Sequence, residues 1–194
     1  MGSYNVIEEI GSAIIELLRT GLVPVFLKDR EEIDLCSPDE HGDLVVGVSL
    51  YDIQENEDVN EMGMQNKGLS KQVHPSMFLD LHYMITVYSK SDIKYRAREE
   101  QRLLGRIMQI LNDNRIIPDK FLANTGAPLK YAVRTRMEKM TFEEKSKLFN
   151  GSGKSCKSSL FYCVFPVELE STGVRKISRV TDMGSSMEEA QEKG

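Results

Sequence analysis

The chain has 194 residues, enough for one domain with a sizeable core. Its net charge of −5 opposes bulk nucleic-acid binding, and no apolar run approaches the roughly 20 residues of a membrane span. Three cysteines (Cys36, Cys156 and Cys163) without a CxxC pair argue against a disulfide framework or a thiolate zinc site and favour a reducing compartment.

Taken in chain order, the segment from Asn5 to Leu22 predicts an amphipathic helix. Val6, Ile10, Ala13, Ile14, Leu17 and Leu18 recur at helical spacing. Asn5 is placed to cap it, with Glu8 bonding back. Gly11 costs about 1 kcal/mol relative to Ala inside such a helix, so tertiary packing must justify it. Residues 31–38 predict a short strand ending at Pro38. Residues 43–53 predict a half-buried strand, with Leu44, Val46, Val48 and Leu50 on one face and Val45, Gly47, Ser49 and Tyr51 on the other. Residues 54–75 form a long polar segment, read as a loop. Leu79, Leu81, Tyr83, Ile85 and Val87 alternate along the clearest strand.

Residues 91–114 predict the longest helix, with Ile93, Ala97, Leu104, Ile107, Met108 and Leu111 as its apolar stripe. Residues 129–140 alternate weakly and are expected to form an edge strand. Residues 141–149 predict a short helix, opened by a Thr141–Glu144 capping box. Residues 159–169 are apolar on both faces and read as a central strand bounded near Pro166. The expected domain is therefore 1–171, followed by a flexible tail over 172–194. The architecture is α+β: an antiparallel or mixed sheet of four to five strands, flanked by two to three helices.

Residues 149–156 hold the end of a phosphate-binding loop, Gly153-Lys154-Ser155, but the first glycine falls on Leu148. The context is also reversed, because a helix precedes the loop and a strand follows, so no helix N-terminus faces a phosphate. Asn150 and Gly151 read instead as a helix stop. His41, His74 and His82 lack metal-ligand spacing, and no catalytic motif is present, so no catalytic residue, metal or cofactor is assigned. Cys163 reads as a small core residue.

Two charge patterns carry more information. Lys94, Arg98, Arg102 and Arg106 recur at i, i+4, a spacing that costs about 0.2–0.5 kcal/mol per like-charged pair. Residues 52–61 hold Asp52, Glu55, Glu57, Asp58 and Glu61 and no base. The bland reading is a solvated helix face and a solubilising loop. The sharper one is a head-to-tail contact, in which the acidic segment of one copy sits on the basic helix of the next and closes a ring.

The runs "YNVIEEIGSAIIELLR", "LCSP", "LYDIQEN", "DLHYMITVYSKS", "LGRIMQIL" and "SLFYCVFPVELEST" together resemble the N-terminal domain of the cap, or tail-terminator, proteins of extracellular contractile injection systems. The resemblance extends over about residues 4–182. It implies a tail-terminator-like fold and a structural, non-enzymatic role. The partners it implies are further copies of the chain in a ring, expected to be a hexamer, and the terminal sheath and inner-tube subunits. Nucleic acid and membrane are not among them. Assembly in the cytoplasm and then incorporation into the particle would follow. Longer members continue past this domain, whereas this chain stops about a dozen residues after Asp182. The competing readings are a connector or tail-completion ring of a phage-like tail, and a small nucleotide-binding enzyme using 151–155.

Overall fold

In the computed structural model, which describes residues 4–38, 40–59, 61, 63–66, 71–122, 130–150 and 157–176, the first element is α1 (Val6–Leu22). The predicted stripe is its buried face, with Ile10 and Leu18 fully inaccessible. Asn5 is its N-cap residue but makes no side-chain capping bond. Its backbone is itself helical (φ −79°, ψ −10°), whereas a capping side chain is aimed at the first-turn amides from an extended backbone. Gly11 has a packing reason. A Cβ there would lie 3.0 Å from the Leu35 side chain and 3.6 Å from the Tyr83 hydroxyl.

The main sheet contains β1 (Ile33–Leu35), β2 (Val46–Glu55), β5 (Met77–Val87), β6 (Arg134–Met137) and β7 (Ser159–Leu169) in the order β1-β2-β5-β7-β6. β1 runs parallel to β2 and the other pairings are antiparallel, so the sheet is mixed. The residues predicted on one face of β5 (Leu79, Leu81, Tyr83, Ile85 and Val87) join the core under α1 and α2 (Ile93–Asp113). Its opposite face is buried as well through Phe78, His82 and Met84, as suits the middle strand of five. α3 (Phe142–Asn150) lies on that second face, with Lys145 over the Phe161 ring, and opens with the predicted capping box. The Thr141 N–H donates to Glu144 Oε2 at 2.7 Å, and the Glu144 N–H donates to Thr141 Oγ1 at 3.3 Å.

Both sheet edges are partly closed. At β1, Arg19 Nη2 donates to the Ile33 carbonyl at 2.9 Å. At β6, the predicted edge strand, the Thr135 N–H donates to Arg115 O at 2.7 Å and the Ile117 N–H to Val133 O at 2.9 Å. A crossing segment thus occupies part of an edge that would otherwise attract another strand.

Four expectations are corrected. α2 buries Leu103, Ile107, Ile110 and Leu111 and nothing before them, while Ile93 is 84% exposed and Ala97 is exposed. The first half of this helix extends past the core, so among the described residues its apolar side chains join no buried cluster. β7 continues through Pro166 to Leu169, because the pairing with β5 changes register there and needs no donor from the proline. The polar segment 54–75 contains the last residues of β2 and two short strands, β3 (Gln65–Asn66) and β4 (Lys71–Val73). β8 (Val174–Lys176), placed in the expected tail, pairs antiparallel with β4. Together β3, β4 and β8 make a second, three-stranded sheet in a separate unit, whose described residues are 63–66, 71–75 and 171–176. Within it the His74 ring lies where a Cβ on Gly173 would stand, 2.5 Å away.

Candidate functional site

The acidic segment starts at an irregularity in β2. Leu50 pairs with Tyr83 and Asp52 with His82, so Tyr51 is an extra residue between two successive pairs. Such a bulge turns two consecutive side chains toward one face. Asp52 is occupied locally. Its Oδ1 accepts from the Ile53 N–H at 2.9 Å and its Oδ2 from Gln54 Nε2 at 2.7 Å. Asn56 then fixes the turn that follows. It is only 5% exposed, its N–H donates to Phe78 O at 2.8 Å, its side-chain amide donates to Asp80, and its Oδ1 accepts from the Val59 N–H at 2.7 Å. Around this anchor Glu55, Glu57 and Asp58 are exposed. Glu61 forms an ion pair with Lys130.

On α2 the four predicted cations separate in the same way. Lys94, Arg98 and Arg102 are exposed, and among the described residues none has an ion pair within 4 Å. Arg106 is drawn inward. Its guanidinium lies over the Phe26 ring at 5.8 Å, with Nε 3.5 Å from Gly21 O. Two acids in the first half of the same helix are also engaged within the chain. Glu99 accepts from the hydroxyls of Ser89 and Ser91, and Glu100 from the Ser89 N–H. Those hydroxyls hold the Glu99 carboxyl below the usual carboxylate range, with a smaller contribution from Arg102.

The two surfaces do not meet within the chain. Val46 pairs with Val87 at one end of the central strands and Glu55 with Leu79 at the other. The paired stretch from Leu79 to Val87 is about 26 Å long at ~3.3 Å per residue, and α2 begins at Ile93, beyond the Val87 end.

A third feature lies on the α3 face, where His82 and Cys163 are direct cross-strand partners and Arg136 is the next. Glu138 accepts from the Tyr51 hydroxyl at 2.6 Å and from His82 Nδ1 at 2.9 Å. Among the described residues His82 Nε2 is buried without a hydrogen-bond partner. A cleft of about 510 Å³ opens beside the group, lined by Tyr51, Asp52, His82, Arg136 and Glu138 among others. Donor atoms of His82, Glu138 and Cys163 lie within 4.8 Å of one another, a ligand set of the type zinc accepts. Among the described residues Tyr51 and His82 form a hydrogen-bond network through Glu138. Burial, with the charges of Asp80 and Glu138, pushes the Cys163 thiol up to about 12, and both Glu138 oxygens are already accepting. A thiol held protonated is a poor nucleophile. Burial first, and then the bond to Glu138, also raise the Tyr51 phenol above its ordinary value.

Cys163 is fully buried, as expected of a core residue. His41 stacks on Tyr88 with ring centroids 3.7 Å apart, and His82 is 9% exposed. Residues 151–156, which hold the partial phosphate loop, lie outside the described residues, as do 177–194 of the expected tail. Sequence reading missed Asn56, hidden among the acids, and Glu138, separated from His82 by 56 positions. No local spacing announces either one. Among the described residues no helix is long and apolar enough to cross a membrane.

Comparison with known proteins places this geometry. No curated protein matches the chain. Among solved structures, the sheath/tube terminator (PVC, extended state) of an extracellular contractile injection system superposes with a TM-score of 0.67 at 17% identity, over 97% of this chain and 65% of that one. The tube-terminating cap of the anti-feeding prophage superposes with a TM-score of 0.63 at 16% identity, over 92% of this chain and 60% of that one. At such identities the likeness shows the α+β fold, and the chain spans less than two thirds of either protein's length. Residues 9–182 match the model of the Pvc16 N-terminal domain, and the chain belongs to that family.

Proposed function

We propose that the chain is a structural cap of a contractile injection particle, ending growth of the inner tube and sheath at the baseplate-distal end. The observation that carries this reading is the superposition of 97% of the chain on a sheath/tube terminator, joined to family membership over 9–182. In this reading the cap is a ring of six copies, assembled in the cytoplasm, that contacts the last sheath and tube subunits. Its role is non-enzymatic. The protonated Cys163 thiol and the fully engaged Glu138 carboxylate support that, because the chain's one Cys/His/Glu grouping among the described residues is arranged for hydrogen bonding.

The test is particle assembly with and without the chain, read as the length distribution of tubes and sheaths by electron microscopy. With it, lengths cluster and the distal end carries extra density. Without it, lengths spread and sheaths are lost from the distal end. A length distribution indifferent to the chain would overturn the proposal.

A further inference from the structure

We infer that copies of the chain join head to tail through the projecting half of α2 on one copy and the Asn56-anchored acidic turn on the next. This inference rests on the cap reading and names the contact that would close the ring. Three observations carry it. First, among the described residues, 93–102 are tied by hydrogen bonds at their base to the Ser89–Ser91 loop, and none of them is buried. Second, the acids of that half-helix are spent on its own base, so its outward charge is the row Lys94, Arg98 and Arg102, beside the exposed Ile93 and Tyr95. Third, the acids of the segment whose side chains have no hydrogen bond or ion pair among the described residues are Glu55, Glu57 and Asp58, and Asn56 fixes the backbone turn that carries them. The structure thereby narrows the sequence pattern, since Arg106, Asp52 and Glu61 are committed within the chain.

The occupant is a second copy of this chain. The two surfaces are complementary in charge, and among the described residues no ion pair joins them within one chain. Joining two different surfaces of identical subunits is a heterologous contact, which propagates and closes only if the rotation per step divides a circle. Isolated exposed ion pairs are weak and screened by salt, so ring closure needs several together with the apolar Ile93 and Tyr95.

Disulfide trapping on assembled particles tests this. In a chain with Cys36→Ser and Cys156→Ser, adding Arg98→Cys and Asp58→Cys together should, on oxidation, give a covalent ladder ending in a closed-ring species, whereas either one alone should give no ladder. Capped particles of normal length without a ladder would overturn the contact and leave the cap reading standing. If lengths prove indifferent to the chain, the cap reading fails and a solution experiment judges the contact. There, K94E/R98E/R102E and E55K/E57K/D58K should each fail to self-associate at low salt, while their mixture associates and weakens about tenfold or more in high salt. A mixture that stays monomeric overturns the inference.

Discussion

Replacing Asn56 with Ala should cost more than any other substitution in the acidic segment, although it removes no charge and only a small side chain. Asn56 is 5% exposed and links three places at once: the Asp80 carboxylate, the Val59 N–H and, through its own backbone, Phe78. Ala keeps the backbone bond and loses the other two. A hydrogen bond to a charged group contributes about 1.5–3 kcal/mol and a neutral one about 1. Val59 and Asp80 are half-buried, so water recovers part of the loss. The expected cost is about 2–3 kcal/mol. Urea unfolding followed by circular dichroism should show it as a lower midpoint at unchanged slope. Asn56→Asp should be worse than Ala at neutral pH, because two carboxylates would then face each other, and should recover in acid. In a double-mutant cycle with Asp80→Ala the two losses should be strongly non-additive. A cost for Asn56→Ala below about 0.5 kcal/mol, or simple additivity with Asp80→Ala, would refute the view that Asn56 anchors the turn.

The remaining expectations concern packing, pH and thiol chemistry. Gly21→Val should destabilise by about 1–3 kcal/mol, since even a Cβ there would stand 2.5 Å from Ile110 Cδ1 and 2.7 Å from its Cγ1; Ile110→Ala in the same chain should relieve part of that cost in thermal melts. Glu16, Glu99 and Glu144 all have lowered pKa values, from Arg19, from the Ser89 and Ser91 hydroxyls, and from Thr141 respectively. A depressed carboxylate adds stability above its unfolded pKa and loses it as pH falls through the lower folded value, so unfolding midpoints should drop on acidification below the ordinary carboxylate range, and Glu99→Gln should flatten that fall. Cys163, fully buried with its thiol near 12, should escape a thiol reagent in the native chain at mildly alkaline pH and react at once in denaturant, as peptide mapping would show.

Much of the fold was legible because its signals are local. The stripe of α1, the alternation of β5 and the Thr141–Glu144 box each depend on residues a few positions apart, and all three are present as read. The mixed α+β class followed from their order. The family resemblance was likewise carried by short runs, and residues 9–182 do match the Pvc16 N-terminal domain. The errors arose where a local pattern met a distant constraint. Ile93 and Ala97 keep the helical period of a buried stripe, yet the core ends at Leu103, and no sequence period says where a neighbouring layer stops. Val174–Lys176 is polar enough to read as tail, but Lys71–Val73 offers it backbone partners about a hundred positions away.

The same division applies to the charged surfaces. The sequence by itself determined that a basic helical ladder and an acidic run exist, because i, i+4 spacing and composition need no third dimension. Only the tertiary structure decided which charges remain available. Arg106 is folded over Phe26, Asp52 bonds to its neighbours, and Glu61 is held by Lys130. Only the tertiary structure, too, set Glu55 at the Leu79 end of the central strands, with α2 beginning beyond the Val87 end, since that placement follows from the register of β2 against β5. A charge's availability depends on what the fold brings within hydrogen-bond reach, and that reach is a property of packing between segments far apart in the chain.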